Sequence, residues 1–313
     1  MRSQQWFATR VTNSRGIAFG VLGPLEARLD GEPLPLGGAK QRAVLAVLLL
    51  SANEVISVER LIDEVWGDRS PPSAAHSLEA YVSRIRQLLS GHGPTLTRRG
   101  AGYRLDLGGA TLDADLFAQE LQGASDAAAE GDLGLASVLA SRALALWHGP
   151  ALADVSLASA GRAEAERLEE ARLRAFELRF DAELELGHHE AIVGELQVLV
   201  GQNPYRERFV AQLMLTLYRS GRHAEALDVY EQTRRRLDTD LGLQPSPELQ
   251  QLSAQMVRQE AHLQHVAPSR KAPSPRPRRG PQDVRVGRSR IRDCSDGDTD
   301  RERRRSSARR SRG

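Results

Sequence analysis

The stretch SAAHSLEAYVSRIRQLLSGHGPTLTRRGAGYRL, residues 73–105, decides the fold. Leu78, Val82, Ile85 and Leu89 recur at i, i+4, i+7 and i+11, one apolar stripe at helical period. Ser77, Ala80 and Arg84 fall on roughly the opposite side, with Tyr81 between and Arg86 on a flank. A short break follows, and then two short strands are expected, over 95–97 and 103–105. Between them Arg98-Arg99-Gly100-Ala101-Gly102 forms the tip, where two glycines permit a tight turn that carries two cations. A helix with one buried face and an arginine on the other, beside a cationic β-tip, is how a winged helix holds duplex DNA. Taken alone, the stretch reads more readily as a solvated helix with an ordinary basic hairpin. The surrounding chain decides between the two.

The chain has 313 residues, enough for two domains with their own cores. Apolar residues make up 40% and charged residues 27%, the balance of a soluble globular protein. Leu and Ala dominate the apolar set, which favours helices. The single cysteine, Cys294, excludes an intramolecular disulfide and a cysteine-based metal site, and a reducing compartment is expected. Residues 1–16 lack the apolar core of a signal peptide. The longest apolar run, 44–50, is far short of the roughly 20 residues that span a bilayer. A cytoplasmic protein without a membrane segment is therefore expected.

The net charge of +2 conceals an asymmetry. Residues 1–112 carry 13 Lys and Arg against 10 Asp and Glu, and residues 266–313 carry 16 against 6, which leaves 113–265 at −11. Any contact with nucleic acid therefore belongs to the ends of the chain.

In order, residues 1–16 are expected to be unstructured. Runs at 17–22 and 25–29, a turn at Asp30-Gly31 and a run at 33–36 predict a small antiparallel sheet. A helix over 39–50 buries Leu45, Leu48 and Leu49. Lys40 and Arg42 sit in its first turn, where cations oppose the helix dipole, so either an external phosphate or plain solvation accounts for them. Ser57 is a good N-cap for a helix over 58–66, with Leu61, Ile62 and Val65 inward and Gly67 ending it. The loop DRSPP, 68–72, then leads into the long helix.

With GGAKQRAVLAVLLL, VISVERLIDEVWGD, SLEAYVSRIRQLL and TRRGAGYRL in hand, residues 17–107 resemble the winged-helix effector domain of the OmpR/PhoB type. The resemblance implies that the helix 73–89 enters the major groove, that Arg84 reads a base edge, and that Arg99 enters the minor groove beside Arg98. Ser77 and Tyr81 become phosphate or thymine-methyl contacts, Arg86 a phosphate contact and Thr97 a contact to the DNA backbone, with Lys40 and Arg42 as outer phosphate candidates. The loop 67–72 corresponds to the segment that faces RNA polymerase. Two departures stand out: the wider superfamily often has a basic residue where Ser83 stands and histidine where Tyr81 stands. The preferred DNA sequence therefore does not carry over.

From 112 to about 262 the chain reads as nearly continuous helix, punctuated by Gly131, Gly149-Pro150, Gly187, Asn203-Pro204, Gly221 and 242–245. Helices are expected over 116–130, 132–147, 161–186, 188–201, 206–220, 222–241 and 247–262. A shift of 34 residues places Gly187 on Gly221, Leu184 on Tyr218, Phe180 on Met214 and Val193 on Leu227, the tetratricopeptide period. With ALALWHGPALADV, AEAERLEEARLRA and NPYRERFVAQLMLTLYRSGRHAEALDVYEQTRRRLDTDLGLQPSPELQQL, the region resembles the bacterial transcriptional activator domain. A winged helix followed by that domain resembles the SARP/AfsR family of transcriptional activators, over about 17–260.

The expected fold is mainly α: an N-terminal winged helix-turn-helix with small antiparallel sheets (17–110), then an all-α tetratricopeptide-like domain (111–265). Residues 266–313, rich in Arg, Ser, Pro, Gly and Asp, are expected to be disordered; an out-of-frame remnant of a longer protein is one account of them. No G-x-x-x-x-G-K-[ST] phosphate loop occurs, so the chain resembles the short two-domain members, and control by an in-chain receiver domain is not expected. The resemblance implies binding at direct repeats near promoters of double-stranded DNA, recruitment of RNA polymerase, a homodimer on DNA, and control of an antibiotic biosynthetic cluster. The competing reading is a tetratricopeptide-type interaction scaffold with DNA binding secondary.

An enzyme is not expected. His188-His189-Glu190 has no H-E-x-x-H spacing and sits at a turn between repeats. Glu164, Glu166, Glu169 and Glu170 interleave with Arg162, Arg167 and Arg174 as a solvated helix face. No cofactor, metal site or catalytic constellation is read from the chain.

Overall fold

The computed structural model describes residues 16–263. The chain opens with strands β1 (Ile17–Gly20), β2 (Glu26–Leu29) and β3 (Glu32–Pro33). Then come helix α1 (Ala39–Leu50), strand β4 (Val55–Ser57), helix α2 (Val58–Trp66) and helix α3 (Ala74–Leu89). Strands β5 (Thr95–Arg99) and β6 (Gly102–Asp106) form the wing, and β7 (Thr111–Leu112) follows. The remainder is helical: α4 (Asp113–Ala129), α5 (Leu133–Leu144), α6 (Ser159–Glu185), α7 (His189–Gln202), α8 (Glu207–Arg219), α9 (His223–Leu241) and α10 (Pro247–Val257). The fold is mainly α, a winged helix-turn-helix followed by a helical array. The expected disordered segments lie outside the described residues, apart from Gly16 at the edge of the first.

Local chemistry sets most boundaries. The Ser57 hydroxyl accepts from the Arg60 N–H at 3.1 Å and starts α2. Asp132 does the same for α5 through Leu135, and Ser246 for α10 through Leu249, with Pro247 at the first helical position. Gly187 and Gly221 adopt φ 81° and 75°, and each closes the same turn. In both, the N–H of the residue after the glycine returns to a carbonyl five residues back, Glu183 for His188 and Leu217 for Arg222, at 2.9 Å. A left-handed turn of this kind favours glycine, which is why the 34-residue period is visible.

Several elements differ from expectation, among them α4, which starts at Asp113 rather than 116, and α5, which ends at Leu144 rather than 147. The strand expected at 33–36 is shorter: β3 covers Glu32–Pro33, and past it the Leu34 N–H still donates to the Ala27 carbonyl of β2 at 2.8 Å. Helix α10 stops at Val257 rather than 262, and Gln259 at φ 54° turns the chain into a short 3-10 segment, Ala261–Leu263. The first sheet is not purely antiparallel. Its order is β3-β2-β1-β7, and β7 joins β1 in parallel through Ala18–Thr111 and Phe19–Leu112. The second sheet, β4-β6-β5, is antiparallel; its β5-β6 hairpin was expected and its third strand, β4, was not.

The hydrophobic core does not break near residue 110. One buried cluster runs from Ile17 to Ala175 and takes in Leu45 and Leu48 of α1, Leu61 of α2, the Leu78–Val82–Ile85–Leu89 stripe of α3, Phe117 of α4 and Trp147. A second, from Phe180 to Leu263, fills the later repeats. Carboxyl groups stitch the first sheet and the helix-turn-helix to the helical array. Asp113, 3% exposed, accepts the N–H groups of Val21 at 2.9 and 3.0 Å and of Leu22 at 3.0 Å. Asp154 accepts the Leu25 N–H at 2.8 Å. Glu64 of α2, 5% exposed, accepts Ala160 and Gly161 N–H at 3.1 and 2.9 Å and so occupies the N-terminus of α6.

Burial pushes the Asp113 carboxyl up from 3.8 to about 7, against the pull of the Leu22, Val21 and Ala114 N–H groups. The folded protein therefore holds a proton that the unfolded chain releases above about pH 4. The stability due to this proton is complete below that pH and is lost as pH rises through about 7. In urea melts, the stability of the wild type relative to Asp113→Asn is predicted to fall between pH 5 and 8. A difference constant over that range contradicts the assignment.

Candidate nucleic-acid interface

Helix α3 buries Ala74, Leu78, Val82, Ile85 and Leu89. That fixes its rotation and leaves His76, Ala80, Ser83, Arg84 and Gln87 exposed on the far side. Ser77 and Tyr81 are half-buried along its edge. The Arg84 guanidinium stands 5.9 Å from the centre of the Tyr81 ring.

The wing is joined to this helix by Arg86, whose Nε donates to the Leu96 carbonyl at 2.8 Å while its guanidinium lies 5.7 Å from the Tyr103 ring. Arg98 lies 5.9 Å from the same ring, with Glu79 at 3.9 Å. Both are more than half exposed, so that ion pair is weak. Arg99 ends β5 opposite Gly102 and is exposed, with no ion pair among the described residues. Thr97 is half-buried, and its hydroxyl has no hydrogen-bond partner.

Gly102 holds the wing against the body. A Cβ there would lie 2.2 Å from the Ile56 carbonyl oxygen of β4, in the pairing where Ser57 faces Gly102. The backbones approach so closely that only glycine fits.

Of the residues picked from sequence, Arg84, Arg99, Arg98, Tyr81 and Ser77 lie on α3 and the wing tip. Three of the other cations have internal partners. Lys40 donates to the Val65 carbonyl at the end of α2. Arg42 donates to the Leu25 carbonyl at 2.8 Å and pairs with Asp154. Arg86 is the strut between α3 and β5. These groups found internal partners because each faces free carbonyls or a carboxylate of a neighbouring segment, which a linear reading does not display. His76, on the first turn of α3, was not singled out, although its i, i+4, i+8 spacing with Ala80 and Arg84 marks the same face.

Residues 31–105 match the family described as "Transcriptional regulatory protein, C terminal", and residues 112–257 match the bacterial transcriptional activator domain. The regulatory protein DnrI of Streptomyces peucetius is 35% identical over 257 residues, which cover 79% of this chain and 94% of that protein. The chain belongs to the SARP family of transcriptional activators. Regulatory protein AfsR of Streptomyces coelicolor is 40% identical over 83% of this chain, which spans only 26% of AfsR. The structure of EmbR from Mycobacterium tuberculosis, solved in complex with a low-affinity phosphopeptide, superposes with a TM-score of 0.75. It is 36% identical and covers 79% of this chain, which spans 66% of it.

Among the described residues no cluster of His, Cys, Asp and Glu fits a metal ion, and no helix is long and apolar enough to cross a membrane.

For this member of the SARP family, Gly102→Ala is predicted to cost about 1–3 kcal/mol, as overpacking does. Thermal melts measure it; an unchanged melting temperature contradicts the close approach of β6 to β4.

Proposed function

We propose that the protein is a sequence-specific DNA-binding transcriptional activator. The observation that carries this reading is that α3 exposes Arg84 while the wing, tied to α3 through Arg86 and Leu96, exposes Arg99. A single rigid piece thus presents one cation from a helix of groove-reading size and another from a β-tip. Duplex DNA matches that arrangement: the major groove admits a helix, and a narrow minor groove attracts arginine. Arg84 is assigned to a base edge, as a bidentate fork on guanine. Arg99 is assigned to the minor groove, with Arg98 beside it. Ser77, Tyr81 and His76 line the approach to the major groove.

The same reading makes the exposed loop after α2, with Asp68, Arg69 and Ser70, the surface offered to RNA polymerase. It makes the active species a homodimer on direct repeats near a promoter, in the cytoplasm. Antibiotic biosynthesis genes are the proposed targets, by likeness to relatives such as DnrI and AfsR. Catalysis has no part in it.

Binding of a promoter duplex and of a shuffled duplex, followed by fluorescence anisotropy across a salt series, tests the reading. Arg84→Ala is expected to lower the preference for the promoter duplex about 10- to 100-fold. Arg99→Ala is expected to weaken binding chiefly at sites with a narrow minor groove. If both variants bind and discriminate like the wild type, the reading fails.

A further inference from the structure

Four side chains from three helices form one line beneath the exposed face of α3. The Lys40 ammonium donates to the Val65 carbonyl and lies 5.8 Å from the centre of the Trp66 ring. Val65 and Trp66 end α2, where the free carbonyls of the helix concentrate negative charge, so the cation is well placed there. The Trp66 ring stacks on Tyr81 of α3, with centroids 6.3 Å apart and planes 25° apart. The Arg84 guanidinium stands 5.9 Å from the Tyr81 centroid. Tyr81 and Arg84 are three residues apart and share one side of α3.

We propose that Trp66 is a specificity-determining positioning residue: by fixing the Tyr81 ring it holds the Arg84 guanidinium ready to meet a base edge. The proposal rests on the reading of Arg84 given above. Trp66 itself touches no DNA in this account.

The physical case is one of preorganisation. An exposed arginine samples many rotamers and gives up that freedom when it engages a target. A ring beneath the guanidinium attracts the cation and removes part of that freedom before DNA arrives. The ring is useful only if it is itself fixed, and Tyr81 is half-buried at the edge of α3 with Trp66 packed against it. Trp66 is anchored in turn by Lys40 and by its place at the end of α2. Lys40 therefore belongs to the positioning of α3 rather than to a phosphate.

This gives a distinctive signature. A phosphate contact needs positive charge nearby, whereas a bidentate base contact needs the plane of the guanidinium fork aligned with the base edge. Loss of the platform should therefore impair discrimination while leaving sequence-independent affinity unchanged. A merely structural defect would lower both together.

The test uses the duplex that the wild-type protein selects from a random pool, and a shuffled duplex of equal composition. Affinity for each is measured across a salt series for the wild type, Trp66→Leu, Trp66→Phe, Arg84→Ala and the double variant Trp66→Leu/Arg84→Ala. Trp66→Leu is expected to lower the selected-to-shuffled ratio about fivefold. Its affinity for the shuffled duplex and its salt slope should match the wild type. Trp66→Phe should restore most of the ratio, and the double variant should be no worse than Arg84→Ala. Where Trp66→Leu does not fold, Trp66→Met, flexible and non-aromatic, takes its place with the same expectation. A full ratio without the aromatic ring, an equal loss on both duplexes, or an added loss in the double variant overturns the proposal and leaves the role of Arg84 standing. An Arg84→Ala protein that discriminates like the wild type overturns the reading on which the proposal rests.

Discussion

Carboxyl groups that grip main-chain N–H groups across the middle of the chain hold this structure in one piece. Asp113 and Asp154 reach from the helical array to the residues just after β1, and Glu64 reaches back from the helix-turn-helix to the start of α6. Backbone bonds from His148 to Leu22 and from Leu152 to Val21 reinforce the seam, at 2.8 and 3.0 Å. A buried N–H left without a partner costs about 1–3 kcal/mol, so these contacts resist separation. The apolar core runs through the same seam.

The consequence for function lies in the orientation of α3. It packs on α1 and α2 through its apolar stripe, and α2 is fixed to α6 by Glu64. Arg86 then ties β5 to α3, and Gly102 lets β6 close on β4. The helical array, α2, α3 and the wing are thus joined by one continuous set of contacts.

Much of this was legible in the sequence, for local reasons. The spacing of Leu78, Val82, Ile85 and Leu89 fixed which side of α3 faces out. Ser57 announced α2, and the glycines at 187 and 221 announced the repeats because their turns require a left-handed residue. What escaped was long-range. A two-residue strand such as β7 has no periodicity to detect, and its parallel pairing depends on a return over some 90 residues. The roles of Glu64, Asp113 and Asp154 were hidden because their partners are main-chain groups, which any sequence supplies. The internal partners of Lys40, Arg42 and Arg86 were hidden because charge alone is silent about which carbonyl lies opposite. The candidate site was thus legible as a face, while the side chains that brace it became visible only in three dimensions.

On the proposed reading, Arg84 meets a guanine edge in the major groove. Methylation interference on a duplex selected by the protein tests it directly, since a methyl group on guanine N7 blocks the acceptor that an arginine fork requires. The account predicts one or two guanines per half-site whose methylation abolishes binding by the wild type but does not further weaken Arg84→Ala. The same interference pattern in both proteins, or none in either, would contradict it.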